Sequence, residues 1–437
     1  MKTAIKLGQE IANGTLDPVE LAEQTFETIE GNANQADIFA RLTKDRAMAE
    51  AKAARKRQQE DALQSPIDGV PISWKDLFDT AGIATESGSR LLKGRVPEND
   101  ALVVERMTAA GTVCVGKTHL SELAFSGLGI NPKAATSPNR HGVHLAPGGS
   151  SSGAAASVAH GMVPIGIGSD TGGSVRIPSA WNDLVGQKTS HGFLPSDGII
   201  PLCSGFDTAG PLCTSLADAW VATAIMAGET PTLPQAKPLD QCTFLISESH
   251  VLDDLGDNQR KGFEQAIEAL ARAGATIDRL TMPEFEEILP LGPILFPYEA
   301  WQEWGDAIEA QPDLMFEPVR NRFMSGKGLT KDEYDQASNT MHEIRKRFNA
   351  KLAQYDALLA PTVAIAPPEI EPLLNDFELF SATNMLALKN TRFFNLFGSC
   401  ALSLPTSQSA SGLMVVGEPM NDKKLTSIGL SIEKVLT

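Results

Sequence analysis

The chain has 437 residues, 42% of them hydrophobic, and a formal net charge of −17. This acidic balance argues against a nucleic-acid-binding surface, which needs clustered Lys and Arg. The five cysteines are odd in number and form no CxxC pair, which argues against a disulfide framework or a cysteine zinc site. They fit a reducing compartment, and we expect a cytoplasmic protein without nucleic-acid partners.

The first elements along the chain are helices. The N-terminal segment lacks the apolar run of a signal peptide, and Asp17 followed by Pro18 indicates a helix start. Residues 43–63 predict an amphipathic helix, and residues 69–75 (GVPISWK) predict a short apolar strand that ends on a lysine. The most apolar stretch, residues 154–167, is too short to cross a bilayer, so we expect no membrane attachment.

The later elements alternate between helix and strand. Residues 101–110 predict a helix and residues 112–115 a strand, and Gly and Ser then dominate residues 126–210. Residues 233–354 predict mostly helix, and residues from 356 onwards return to strand-like segments. This alternation favours an α/β fold in which helices cover both faces of a sheet.

One motif matches the phosphate-binding pattern GxxxxGK[ST], at residues 111–118 (GTVCVGKT). That pattern needs a strand before the first glycine and a flexible loop between the glycines. Here a predicted helix precedes the glycine, and β-forming residues fill the loop positions. The sequence therefore favours a helix, a glycine stop and a buried strand.

A second motif matches the nucleophile-elbow pattern GxSxG at residues 149–153, centred on Ser151. The elbow requires a strand that leads directly into the serine, whereas the residues before it (APG) indicate a loop. His141 and His144 lie in another loop-like segment without an evident third ligand. We therefore expect neither a histidine-based triad nor a metal site.

Lys75 and the run TGGS (residues 171–174) each have two interpretations. A lysine can serve as the base for a serine if burial keeps it neutral, but Lys75 could equally pair with Asp76 or Asp79 at the surface. The two glycines before Ser174 would let backbone N–H groups converge as an oxyanion hole. The same run could instead be a turn that binds nothing, or one that binds phosphate.

Three segments together resemble the amidase signature family: GVPISWKD (residues 69–76), APGGSSSG (residues 146–153) and the glycine-rich run of residues 168–178. Lys75 and Ser150 are 75 residues apart, and Ser150 and Ser174 are 24 apart, as in that family. The resemblance is strong over residues 69–219 and looser over residues 390–436.

The resemblance implies roles for individual residues. Ser174 would be the nucleophile, Ser150 a bridging serine next to a cis peptide bond, and Lys75 the general base. The implied oxyanion hole consists of the N–H groups of Thr171, Gly172, Gly173 and Ser174. Asp170 and Arg176 would hold the shape of this loop. The implied substrate contacts are Phe125, Ser126, Gly127 and Leu128.

The resemblance also implies a fold and a reaction. The fold would be a large mixed β-sheet with helices on both faces, in one domain spanning residues 1–437. Its catalytic core would occupy about residues 65–220, its helical pocket region about 233–354, and its C-terminal strands and helix about 356–437. The reaction would be hydrolysis of a small-molecule amide through an acyl-enzyme, without a cofactor or metal, and a homodimer is the expected assembly.

The sequence leaves two other functions open. The first is the glutaminase subunit of a tRNA-dependent amidotransferase, in which Arg320 and Arg322 would bind glutamine, although such subunits are usually longer. The second is a binding protein that has kept the fold and lost turnover. Residues 187–193 (QKTSHGF) depart from the family pattern. The shape of a pocket wall or loop there can therefore differ from the family, whereas the three implied catalytic residues are unaffected.

Overall fold

The computed structural model describes residues 2–436. The strands are β1 (Phe39–Leu42), β2 (Pro71–Lys75), β3 (Val113–Thr118), β4 (Ile165–Ser169), β5 (Val185–Lys188), β6 (Ala209–Cys213), β7 (Thr243–Ser247), β8 (Thr276–Leu280), β9 (Ala357–Pro361), β10 (Cys400–Pro405) and β11 (Gly412–Gly417). The helices are α1 (Ala4–Ala12), α2 (Pro18–Glu30), α3 (Gln35–Ile38), α4 (Lys44–Gln59), α5 (Leu102–Ala109), α6 (Ser152–Ala159), α7 (Arg176–Trp181), α8 (Leu216–Ala227), α9 (Asp257–Arg272), α10 (Glu284–Ile288), α11 (Gly292–Ala310), α12 (Glu317–Met324), α13 (Lys331–Leu352), α14 (Ile370–Asn375), α15 (Phe377–Ala387), α16 (Lys389–Leu396) and α17 (Asp422–Leu436).

All of these strands belong to one sheet, in the order β1-β3-β2-β4-β6-β5-β10-β11-β9-β7-β8. The sheet is mixed: β2 runs parallel to β3 and β4, whereas β6, β5, β10 and β11 pair antiparallel with their neighbours. Every residue of β2, β3 and β4 is buried. Because successive side chains of a strand point to opposite faces, both faces of this part of the sheet are covered. The predicted mixed α/β fold is confirmed.

The early elements match their sequence signals. Asp17 is the N-cap of α2, and its carboxylate accepts hydrogen bonds from the N–H groups of Val19 and Glu20. Helix α5 ends just before Gly111, which takes a φ of 91°, and the buried strand β3 follows. The phosphate-loop interpretation is therefore wrong, because the segment between its two glycines contains a strand and not a flexible loop.

The region from residue 233 to 354 is less uniform than predicted. It contains helices α9–α13 but also strands β7 and β8, which extend the sheet at one edge. Four of the five residues of β8 are exposed, so its sequence lacks the apolar run by which a buried strand is predicted. Within residues 2–436, no helix combines the length and the apolar character that a bilayer crossing requires.

The sheet positions the site through two parallel strands. β2 and β4 are neighbours, with Trp74 paired to Ile167 in the register. Parallel neighbouring strands end at the same edge of a sheet. Lys75, the last residue of β2, therefore lies beside Ser169, the last residue of β4.

Candidate active site

Lys75 is fully buried at the end of β2. Its ammonium nitrogen lies 2.7 Å from the hydroxyl oxygen of Ser150 and 2.8 Å from that of Ser169. Burial lowers the pKa of Lys75 to about 7. In a large fraction of the molecules, Lys75 is therefore a neutral amine at neutral pH. The alternative of a surface pair with a neighbouring aspartate is wrong, because Asp76 pairs instead with Lys117 and Arg41.

The segment before α6 presents Ser150 to Lys75. The peptide bond between Gly149 and Ser150 is cis. The N–H of Gly148 donates to the carbonyl of Leu128, and the N–H of Gly149 donates to the carbonyl of Gly127. The backbone carbonyls of Gly127 and Leu128 thus hold the two glycines that precede Ser150.

Ser174 lies before α7 and is 4% exposed, at the wall of a cavity of about 230 Å³. Its hydroxyl makes no hydrogen bond to any of the described residues, and it is therefore not bonded to Ser150 in this structure. Its carbonyl accepts a hydrogen bond of 3.2 Å from the N–H of Ser151. The serine hydroxyl is thus free to meet a molecule that enters the cavity.

The loop before Ser174 is held by a buried carboxylate. Asp170 accepts hydrogen bonds from the Gly173 N–H at 2.8 Å, from Arg176 at 2.9 and 3.0 Å, and from the Asn395 amide at 2.9 Å. Burial alone would raise the pKa of Asp170, but the Arg176 guanidinium and these hydrogen bonds hold that pKa well below its usual range. The carboxylate is therefore charged, and its bonds shape the loop.

The structure departs from the expected oxyanion hole at one residue. The N–H of Gly173 donates to Asp170 and is engaged in holding the loop. The N–H groups of Thr171, Gly172 and Ser174 have no acceptor within residues 2–436. Three of the four expected donors thus remain available for a ligand.

The cavity next to Ser174 includes only part of the expected substrate contacts. Phe125 and Ser126 line it, whereas Gly127 and Leu128 do not. Arg322 also lines the cavity, but Arg320 lies outside it and donates to the carbonyl of Pro312. Only one of the two arginines considered from the sequence is therefore in a position to meet a substrate.

Ser151 of the GxSxG pattern and His141 lie outside the cavity and contact neighbouring protein groups. The hydroxyl of Ser151 is buried and donates to the carbonyl of Ser169 at 3.1 Å, and Ser151 does not line the cavity. His141 lies 3.0 Å from a carboxylate oxygen of Asp183. Among residues 2–436, no group of three or more His, Cys, Asp or Glu side chains is arranged to hold a metal ion.

Four residues of the site were not found by sequence reasoning. Ser169 contacts Lys75, and its position at the end of β4 beside β2 was the available signal. Asp207 accepts a hydrogen bond of 2.5 Å from the Thr171 hydroxyl. Asn395 contacts Asp170 and Arg392 lines the cavity, yet both lie more than 200 residues beyond the glycine-rich run in a segment without a motif.

Comparison with known proteins identifies the family to which the chain is similar. The family model described as Amidase matches residues 20–426. The 2-amino-5-chloromuconic acid deaminase of Comamonas testosteroni is 32% identical over 388 residues, which cover 85% of this chain and 82% of that protein. A glutamyl-tRNA(Gln) amidotransferase subunit of Chloroflexus aggregans is 30% identical over an alignment of 464 residues, with coverages of 97% and 94%.

The fold comparison gives the same assignment. A crystal structure of an amidase superposes with a TM-score of 0.90 at 29% identity, and the match covers 100% of both chains. The fold and its relatives define an enzyme that hydrolyses carbon–nitrogen bonds in amides. The chain belongs to the Amidase family, the family that its signature segments resemble.

Proposed function

We propose that this protein hydrolyses a small-molecule amide to an acid and ammonia or an amine, with Ser174 as nucleophile, Ser150 as bridging serine and Lys75 as general base. The observation that carries the proposal is the buried amine of Lys75, which lies 2.7 Å from the hydroxyl of Ser150. The residue after Ser150 contacts Ser174, because the N–H of Ser151 donates to the Ser174 carbonyl. Lysine can act as the base of a serine hydrolase when it is neutral. Its pKa of about 7 meets that condition.

The first half of the reaction forms the acyl-enzyme. Neutral Lys75 takes the hydroxyl proton of Ser150 as Ser150 takes that of Ser174, and the Ser174 oxygen attacks the amide carbon. The proposal requires the Ser150–Ser174 hydrogen bond to form when substrate binds, a tightening that is common at catalytic sites. The N–H groups of Thr171, Gly172 and Ser174 stabilise the resulting oxyanion.

The second half releases the two products. Ser150 gives a proton to the leaving nitrogen, the carbon–nitrogen bond breaks, and Lys75 returns its proton to Ser150. A water molecule then attacks the acyl carbon while the same relay accepts its proton. The acid leaves, and the hydroxyl of Ser174 is restored.

The test compares two serines that lie in neighbouring segments. We expect Ser174→Ala to abolish hydrolysis of an amide library and labelling by a fluorophosphonate probe, because both need its oxygen. Ser151→Ala serves as the matched control and should retain activity, since the Ser151 hydroxyl bonds the Ser169 carbonyl and Ser151 does not line the cavity. If Ser151→Ala were inactive while Ser174→Ala retained turnover, the assignment of the nucleophile would be wrong.

The glutaminase alternative is less well supported by the cavity. Free glutamine carries an ammonium group, which would call for an acidic partner, and within the described residues no Asp or Glu lines this cavity. Ammonia release from simple amides by the purified chain, without release from glutamine, would exclude this alternative. Failure of Ser174 to react with the fluorophosphonate probe would instead favour an inactive binding protein.

Two further expectations stay predictions. The five cysteines are free and buried, which supports the proposed cytoplasmic location. The expected homodimer is testable by light scattering of the purified protein, where a molar mass near 46.6 kDa would exclude it.

A further inference from the structure

Two arginines, from different helices, line the cavity that contains Ser174. Arg322 belongs to α12 and Arg392 to α16. Apart from them, the described lining holds no Lys, His, Asp or Glu. The cavity therefore carries two positive charges, although the molecule as a whole has a net charge of −17.

Neither guanidinium has a counter-charge within residues 2–436. Arg322 donates one N–H to the carbonyl of Phe125 at 3.2 Å, and its guanidinium carbon lies 4.2 Å from the centre of the Phe125 ring. Arg392 donates to the sulfur of Met385 at 3.9 Å, and among the described residues its buried Nε has no hydrogen-bond partner. An arginine has five N–H donors, so most of these donors are unused.

The pKa values of both arginines lie below the usual value for this side chain. Burial, together with the nearby charge of Arg392, lowers the pKa of Arg322 to about 10. Burial likewise lowers the pKa of Arg392. Arg322 is nevertheless charged at neutral pH, because a pKa of about 10 leaves almost no neutral form there. An arginine guanidinium stays protonated in proteins, and the same is expected of Arg392. A buried donor without a partner is rare in folded proteins, and a bound molecule can supply the acceptor that it lacks.

We propose that the substrate is an amide that carries a carboxylate, which Arg322 and Arg392 bind while Ser174 attacks the amide carbon. This inference rests on the proposed amide hydrolysis and adds the substrate class. A planar carboxylate accepts paired N–H donors from arginine in a well-defined geometry. The bound anion would also relieve the repulsion between the two guanidiniums.

The chemistry of the cavity narrows the class further. Its other walls include Phe296, Pro297 and Leu388, which suit a short apolar chain between the amide and the carboxylate. The volume of about 230 Å³ limits the ligand to a small molecule. The carboxylate has two sources: the acyl part, as in the monoamide of a dicarboxylic acid, or the amine part, as in an N-acyl amino acid.

The activity test uses matched pairs of substrates. One pair is glutaramate and pentanamide, with the charge on the acyl part, and the other is N-acetylglycine and N-propylacetamide, with the charge on the amine part. We expect kcat/KM to be higher for the anionic member of at least one pair. The doubly substituted protein, Arg322→Gln with Arg392→Gln, should lose about 100-fold for that anionic amide, because hydrogen bonds to charged groups are the strong ones.

The control variant comes from the same helix. Arg320→Gln removes an arginine of α12 that lies outside the cavity, and it should leave both kcat/KM values unchanged. The double variant should lose much less for the neutral amide than for the anionic one, because the neutral amide has no carboxylate for the two arginines to bind. Equal losses for the charged and the neutral amide would overturn the inference and leave the proposed hydrolysis intact.

A binding experiment separates this inference from the proposed reaction. In the Ser174→Ala protein, calorimetry should detect glutaramate or N-acetylglycine more strongly than its neutral counterpart, and the two glutamine substitutions should remove that difference. If no amide were hydrolysed while this charge-dependent binding persisted, the proposed reaction would fail and the anion site would stand. Binding of neither anion, or binding that does not depend on the arginines, would overturn the anion site.

Discussion

Lys75 occupies an environment that opposes its charge. No part of its side chain is exposed, and its nearest polar neighbours are two serine hydroxyls rather than a carboxylate. More distant carboxylates, of Asp170 and Asp207, raise its pKa only partly against the effect of burial. The resulting value of about 7 allows Lys75 to take up and release a proton at neutral pH, which a general base requires.

The first prediction is that kcat/KM rises with pH through about 7 and then levels off. Below its pKa, Lys75 is protonated and cannot accept the proton of Ser150, so the rate should fall about tenfold for each pH unit. Asp207, whose pKa burial raises to about 6, becomes charged over the same range. Its charge raises the pKa of Lys75, which moves the rise in rate toward higher pH without changing its direction. Initial rates between pH 5 and 9 test this.

The control for that profile is the folded state itself. Circular dichroism at each pH should show that the loss of rate at low pH precedes any loss of structure. A rate that peaks near pH 5 would contradict the role of Lys75, because the amine is then almost fully protonated.

At the scale of elements, a buried ion pair joins the short helix α7 to the loop after β4, and hydrogen bonds of the same two side chains reach α16. Arg176 at the start of α7 contacts Asp170, the Asn395 amide and the carbonyl of Thr391. Both charged side chains are completely buried. A buried pair of this kind contributes little compared with apolar packing, but the removal of one partner leaves an uncompensated charge.

The second prediction follows from that asymmetry. Asp170→Asn keeps the shape of the side chain and removes the charge that faces Arg176. We expect it to lower the free energy of unfolding by about 3–5 kcal/mol, the usual cost of breaking a buried pair, and to lower turnover by loosening the loop before Ser174. Urea unfolding and initial rates provide the measurements.

An exposed ion pair provides the comparison for that variant. Lys346 and Glu343 lie 2.7 Å apart with their side chains 70% and 69% exposed. Glu343→Gln should change the free energy of unfolding by less than about 1 kcal/mol, as is usual for surface pairs. If both variants had equally small effects, the buried pair would not be what holds the loop.

The features that were easiest to predict from the sequence are each marked by a few neighbouring residues. Lys75, Ser150 and Ser174 occupy short segments whose order and separation are readable along the chain. Strand β2 is a short, mostly apolar segment that ends on Lys75, and Gly111 marks the end of α5. These features needed no knowledge of tertiary packing.

The parts that sequence analysis missed depend on packing between distant segments. Arg392 and Asn395 reach the site only because α16 packs behind the glycine-rich loop. The involvement of Gly173 with Asp170 depends on the course of the backbone, which a Gly-Gly pair leaves open. Strand β8 is an exposed edge strand, so no apolar alternation marked it.

At the scale of the whole molecule, early and late segments of the chain are interleaved. The middle of the sheet places β5 next to β10, which lies more than 200 residues later. The cavity likewise takes Phe125 from the first third of the chain, Ser174 from the middle third and Arg392 from the last third. The cavity therefore forms only when these distant parts of the chain pack together.

The third prediction is that unfolding is cooperative and that the site disappears together with the sheet. Because strands and cavity walls from all parts of the chain depend on one another, we propose a single domain that loses its helices and the reactivity of Ser174 in one transition. A urea titration followed by circular dichroism and by fluorophosphonate labelling should give the same midpoint, the usual mark of two-state behaviour. Two separated midpoints would instead indicate that part of the chain, the helical region of residues 233–354 for example, unfolds on its own while the rest of the sheet persists.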